Sequence, residues 1–117
     1  MITDHQDIAE LQAAIYACLD SLEKQRDGYA MARQVVEYDS DRRKQLLSVC
    51  VQSAAGKSIS EREHTARASK GHNDGLNDLA AQFADAHKIM SRYYCTNTKL
   101  DALRSILSTQ KVLAREI

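Results

Sequence analysis

Apolar residues recur at Ile8, Leu11, Ile15, Cys18 and Leu22, spaced alternately by three and four. That spacing puts them on one stripe of a helix and matches the a/d seam of packed helices. The same frame continues through Tyr29, Ala32 and Val36, and later through Leu46 and Cys50; Gln25, Asp39 and Arg43 interrupt it. The pattern predicts one helix over about residues 4–54. Thr3 or Asp4 suits its N-cap, and the acids that follow suit the positive end of its dipole. Its two weak points are Gly28 and the polar run Asp39–Lys44. A helix-interior glycine costs about 1 kcal/mol against alanine, enough to permit a bend without forcing a break.

Ala54-Ala55-Gly56 reads as the end of that helix, with Gly56 as its C-cap. Ser58/Glu61 and Ser60/Glu63 both have the serine-to-glutamate spacing of a capping box, so a short helix is expected over about 60–69. Lys70-Gly-His-Asn-Asp-Gly75 has turn composition. Beyond it, Leu76, Leu79, Phe83, Ala86, Met90 and Tyr93 again step by three and four. The frame slips after Tyr93 and is carried on by Leu100, Leu103, Leu107 and Ile117. This predicts a last helix over about 74–115. The expected fold is all-α: a single domain over 1–117, built as a long antiparallel helical hairpin or bundle with a short connecting helix and coiled-coil-like packing. Arms of this length would each be roughly 60–75 Å long. Two such helices bury little by themselves, so a dimer is expected.

Composition agrees. The 117 residues include no proline, four glycines, one Phe and no Trp. Helix formers dominate and the core must be aliphatic and thin, which again favours a second copy or partner. No apolar run approaches a membrane span, and MITDHQDIAE is too polar for a signal peptide. Cys18, Cys50 and Cys95 are odd in number and far apart, which suits small buried thiols in a reducing cytoplasm. The net charge of zero hides a gradient: −6 over residues 1–41, +2 over 42–85 and +4 over 86–117. A basic end can be a nucleic-acid footprint, but antiparallel first and last segments would let the opposite charges meet, which is the preferred reading.

Candidate chemistry is sparse. His64, His72, His87 and Cys95 have no metal-ligand spacing, and His64 and His87 are expected on exposed helix faces. Gly56-Lys57-Ser58 lacks the upstream glycine and strand of a phosphate loop. Backbone N–H groups at Gly71–Gly75 could meet an anion, though turn chemistry explains those residues without one. Asp39 and Arg43, four apart in the seam frame, can pair with each other or set register against a partner helix. Tyr93 belongs to the seam and Tyr94 to the surface. Lys88, Arg92 and Lys99 lie near them, the parts of a base-stacking platform. No nucleophile–base pairing or carboxylate framework is present, so neither enzyme activity nor a cofactor is expected.

Ser60-Glu61-Arg62-Glu63, Ala66, Ala68, Ser69-Lys70, Leu76, Ala80 or Ala81, and Lys99-Leu100-Asp101-Ala102-Leu103-Arg104-Ser105 with Ser108 and Lys111 carry a likeness over residues 58–115. In these residues the chain resembles a family of small helical proteins encoded by phages and prophages, often among early genes. Gly71-His72-Asn73-Asp74-Gly75 departs from the helix-favouring residues that such proteins have there, so a sharper bend is expected at that point. The resemblance supplies no catalytic residues. It implies a non-enzymatic protein of the host bacterial cytoplasm that binds and blocks or modulates a protein partner, such as an anti-CRISPR-like inhibitor of host defence. Candidate contact residues are Tyr38, Arg42, Arg43, Lys44, Arg62, Arg67, Lys70 and Tyr94. Tyr16, Val51 and Ile106 are candidate apolar anchors beside Tyr38 and Tyr94. Residues 58–75 read as an exposed elbow able to touch that partner. The alternative is an accessory single-stranded nucleic-acid-binding protein of phage recombination. It requires the basic residues Lys88, Arg92, Lys99, Arg104, Lys111 and Arg115 to form one exposed stripe.

Overall fold

The computed structural model describes residues 7–116 as four helices, α1 (Ile8–Glu37), α2 (Asp39–Ser53), α3 (Ile59–Arg67) and α4 (Lys70–Glu116), with no strand among those residues. The fold is all-α, with hairpin packing of antiparallel helices. The N-cap expected at Thr3 or Asp4, and Ile117, lie outside the described residues.

The outgoing seam keeps its frame across both helices. Leu11, Cys18 and Ala32 are buried, and Ile8, Ile15, Leu22, Gln25, Tyr29, Val36, Asp39, Arg43, Leu46 and Cys50 are half-buried. The one long helix expected over 4–54 is instead divided at Tyr38, not at Gly28. Tyr38 has φ −98° and ψ 9° and serves as the N-cap of α2 with no side-chain hydrogen bond. The backbone ladder spans the joint: Tyr38 N–H donates to Gln34 O at 2.9 Å, and Arg42 N–H donates to Tyr38 O at 2.9 Å. The register of the seam therefore survives the irregularity.

Contacts group the chain into two compact units. The first comprises the described residues through Tyr29 together with those from Ile89 onward. Here α1 and α4 run antiparallel: Gln25 Nε2 donates to Thr96 Oγ1 at 3.1 Å, and the Tyr29 ring stacks on Tyr93 with centroids 4.1 Å apart. The buried residues of this unit are Leu11, Cys18 and Leu100, a thin core. Seam residues Met90, Tyr93, Asn97 and Leu100 continue the three-four spacing, so the frame slips at Leu100–Leu103 rather than after Tyr93. Cys95, expected to be buried, is exposed.

The second unit is Ala30–Lys88. It contains the end of α1, all of α2 and α3, and the start of α4; α3 packs on α2. Two residues explain how the chain enters α3. Gly56 has φ +154°, a conformation side chains rarely adopt, and a Cβ there would lie 3.0 Å from the Arg62 backbone nitrogen. It stands two residues beyond Ala54, the extended residue that caps α2, so it serves the turn rather than the C-cap expected of it. Ser58 is the N-cap of α3: its Oγ accepts from Glu61 N–H at 3.2 Å, while Glu61 Oε2 accepts from Lys57 N–H at 2.8 Å. The serine–glutamate box at 58/61 is the one used.

Lys70–Gly75, read as a turn from its composition, is helical. The bend falls earlier, at Ala68–Ser69. Ser69 Oγ accepts from His72 N–H at 3.2 Å and donates to Ala66 O at 2.6 Å, so it caps α4 and ties it to α3. Gly75 then lies where α4 passes α2: a Cβ on it would be 2.7 Å from both δ-carbons of Leu46. The glycine belongs to helix packing, not to a turn.

Candidate functional site

α2, α3 and the first turns of α4 enclose a groove of about 260 Å³ in the second unit. It is lined by Arg43 and Lys44 on α2, Arg67 at the end of α3, and His72 and Leu76 on α4, with Leu47 opposite. The helical repeat places these groups. Arg43 and Leu47 are four apart and share a face of α2, with Lys44 beside them; His72 and Leu76 do the same on α4. The packing of α3 on α2 then brings Arg67 to the same opening.

The electrostatics are one-sided. Arg43 Nε donates to Asp39 Oδ2 at 2.9 Å, the four-apart pairing the sequence offered, and Asp39 is largely shielded with 17% of its side chain exposed. Lys44 and Arg67 form no ion pair within 4 Å among the described residues. His72 is 6% exposed, and its Nδ1 is buried without a hydrogen-bond partner. A buried ring nitrogen left unpaired costs about 1–3 kcal/mol. The structure therefore overturns the exposed placement of His72. Its seam spacing to Leu76 and Leu79 is the signal that could have located it.

The other candidate residues do not join this site. Arg42 Nη1 donates to Gln82 Oε1 at 3.3 Å and lines a separate groove of about 350 Å³ with Leu46, Val49, Gly75 and Leu79. Arg62 Nε donates to Gly56 O at 3.1 Å and braces the turn before α3. Lys70 is exposed at the start of α4, and Tyr38 is exposed at the α1–α2 joint. Tyr94 belongs to the first unit, where its hydroxyl lies 3.1 Å from that of Tyr29. Of the apolar anchors, Tyr16, Tyr38, Tyr94 and Ile106 are exposed, whereas Val51 is half-buried; Met31, Val49 and Ile59 are exposed as well.

The basic residues of α4 are exposed but do not make one stripe. Arg92 and Lys99 are seven apart, hence on one row, and Arg104, Lys111 and Arg115 form another. Five residues separate Lys99 from Arg104, a rotation of about 140°. Acidic α1 and basic α4 run antiparallel in the first unit, but no ion pair within 4 Å joins them among the described residues: Lys24–Asp20 and Arg43–Asp39 each lie within one helix. Tyr93, stacked on Tyr29, is not a free base platform.

Among the described residues no three His, Cys, Asp or Glu side chains are grouped to hold a metal ion, and no helix is long and apolar enough to cross a membrane. His64 and His87 are exposed, His87 lying edge-on to Phe83 at 4.5 Å. Compared with known proteins, the chain matches no family model, no curated protein and no solved structure.

Proposed function

We propose that this chain is a non-enzymatic binding protein that engages a protein partner through the α2–α3–α4 groove and blocks or modulates it. One observation carries the reading: Arg43, Lys44 and Arg67, separated in sequence, line a single groove together with the aliphatic side chains of Leu47 and Leu76. Charge on an apolar floor suits recognition of a polypeptide, because aliphatic contacts supply affinity while the cations steer and orient. The resemblance to phage early proteins supports a target in the host cell, with inhibition of a defence system as the fitting role. A homodimer belongs to the same proposal, since Tyr16, Leu19 and Ile106 leave apolar surface exposed in the first unit.

The test is affinity capture from a bacterial host lysate by the wild-type chain and by Arg43→Glu/Lys44→Glu/Arg67→Glu, read by mass spectrometry. A host protein held by the wild type and lost by the triple variant is expected. Equal capture by both, or no specific protein on the wild type, refutes the proposal. Salt-sensitive binding of single-stranded DNA at low ionic strength would move the assignment to the nucleic-acid reading.

A further inference from the structure

We infer that two copies of this chain pair through one flank of the first unit, so that the acidic α1 of each copy lies against the basic α4 of the other. The inference fixes the arrangement of the homodimer. It rests on that part of the functional reading alone, not on the groove.

The helical repeat defines the flank. Tyr16 follows the seam residue Ile15, Leu19 follows Cys18, Arg104 follows Leu103 and Lys111 follows Gln110. One step past a seam residue is a turn of about 100°, and antiparallel packing brings the residues so turned on α1 and α4 to one side. The hydroxyl contact of Tyr29 with Tyr94 lies on that side, since Tyr94 follows Tyr93. Residues one step before the seam fall on the opposite side, and two of them, Ser21 and Lys99, line one cavity there. The first flank leaves apolar surface uncovered: Tyr16 is 71% exposed and Leu19 39%. Arg104 and Lys111 are exposed on the same flank.

Charge selects the occupant. Residues 7–29 carry five acids and two bases, and residues 89–116 carry five bases and two acids. The two segments are therefore −3 and +3, and no ion pair within 4 Å joins them among the described residues. A second copy offers each segment its complement, because a two-fold interface repeats every contact. A two-fold axis across the helices sets α1 on α1 and α4 on α4, like charge on like. An axis along the helices sets α1 on α4 in both halves of the interface, and opposite charges meet.

An axis along the helices also preserves heights. Gln25 is level with Thr96 and Tyr29 with Tyr93, so residues at one height have numbers adding to 121 or 122. Tyr16 is then level with positions 105–106 of the other copy, and the partner's Arg104 lies within about 3 Å of its height. A guanidinium over a tyrosine ring is attracted to it, and the arginine stem covers Leu19. The area is sufficient as well. Residues 8–29 span about 33 Å, and two helices side by side are about 20 Å wide, so a pair of copies buries about 1,300 Å². Stable interfaces bury about 1,200–2,000 Å².

Sedimentation velocity over a concentration series gives the test. A wild-type dimer is expected, weakened about thirtyfold by Tyr16→Ala/Leu19→Ala. Ile106→Glu, one step before the seam residue Leu107, alters the opposite flank and should leave the dimer within about threefold of wild type. Asp20→Lys/Glu23→Lys reverses the net sign of the α1 segment, and Arg104→Glu/Lys111→Glu that of the α4 segment. Each variant alone should dimerise at least about tenfold more weakly. Their equimolar mixture should recover the dimer, because each α1 then meets an α4 of opposite sign. Far-ultraviolet circular dichroism verifies each fold. A hairpin loosened by its own altered charge is not repaired by mixing, so recovery reports the contact between copies.

Charge variants that dimerise as tightly as wild type, or a mixture no stronger than its components, overturn this arrangement and leave the homodimer standing. Loss of the dimer with Ile106→Glu but not with Tyr16→Ala/Leu19→Ala moves the interface to the opposite flank and overturns it too. A wild-type chain that stays monomeric throughout removes both the arrangement and the homodimer, while lysate capture through the groove is decided separately.

Discussion

Replacing Gly28 and Gly75 by alanine separates helix propensity from helix packing. Both glycines lie inside helices, so both alanines gain about 1 kcal/mol from reduced backbone freedom. Their surroundings differ. A Cβ at Gly28 meets Ile89 Cγ2 at 4.0 Å, an ordinary contact. A Cβ at Gly75 lies 2.7 Å from both Leu46 δ-carbons and 3.3 Å from Cγ. Carbon atoms settle at about 3.5–4.0 Å, so Leu46 must withdraw by about 1 Å. Forced repacking of this kind costs about 1–3 kcal/mol. Gly28→Ala should therefore stabilise by about 1 kcal/mol, and Gly75→Ala should lie between neutral and about 2 kcal/mol destabilising. The propensity gain cancels in the comparison, leaving the Leu46 contact as the difference. Urea unfolding followed by far-ultraviolet circular dichroism measures both. Repeating Gly75→Ala in a Leu46→Ala background closes a double-mutant cycle, in which alanine at 75 should become favourable. Equal stabilisation by the two alanines, or no coupling to Leu46, would refute the close approach of α4 to α2 at this point.

Three further outcomes follow from named contacts. Gly56→Ala should destabilise by about 2 kcal/mol or more, since it combines a strained φ with a Cβ against the Arg62 backbone; thermal unfolding measures it. Gln25 donates to Ser21 Oγ and Thr96 Oγ1, but its Oε1 is buried without a partner. Gln25→Leu removes that orphan and two bonds worth about 1 kcal/mol each, and adds apolar burial; a net gain of about 1 kcal/mol is expected in urea, and a loss of that size would show Oε1 to be satisfied. Ser69→Ala removes the cap of α4 and should cost about 1 kcal/mol, with faster amide exchange confined to the first turn of α4.

The seam frames made both arms of the hairpin legible, because a three-four repeat over many turns has few other readings. The joint at Tyr38 was legible in part, because it abuts the polar run Asp39–Lys44, one of the two weak points of the pattern. The other weak point, Gly28, does not break the helix, which runs through it with Ile89 opposite, and no side chain caps the break that does occur. The start of α4 was misplaced because Gly71 and Gly75 carry turn statistics, while the reason for Gly75 is Leu46, some thirty positions away. The same limit applies to the groove. Arg43, Lys44 and Arg67 stood out in the sequence as candidate contacts, but their convergence on one groove depends on how α3 packs on α2. His72 looked like part of an exposed tip because the turn reading placed it outside the seam.

The tyrosine cluster of the first unit gives the molecule a built-in optical label. The chain has no tryptophan and five tyrosines. Tyr29, Tyr93 and Tyr94 are held together by one stack, two edge contacts of 5.8 and 6.4 Å and a shared hydroxyl contact, whereas Tyr16 and Tyr38 are exposed. Separating α1 from α4 unstacks the rings and returns their hydroxyls to water. Near-ultraviolet dichroism and tyrosine emission then report on that helix pair, while far-ultraviolet dichroism reports on all four helices. Following both signals through one denaturation shows whether the two compact units melt together or in sequence, with no added chromophore.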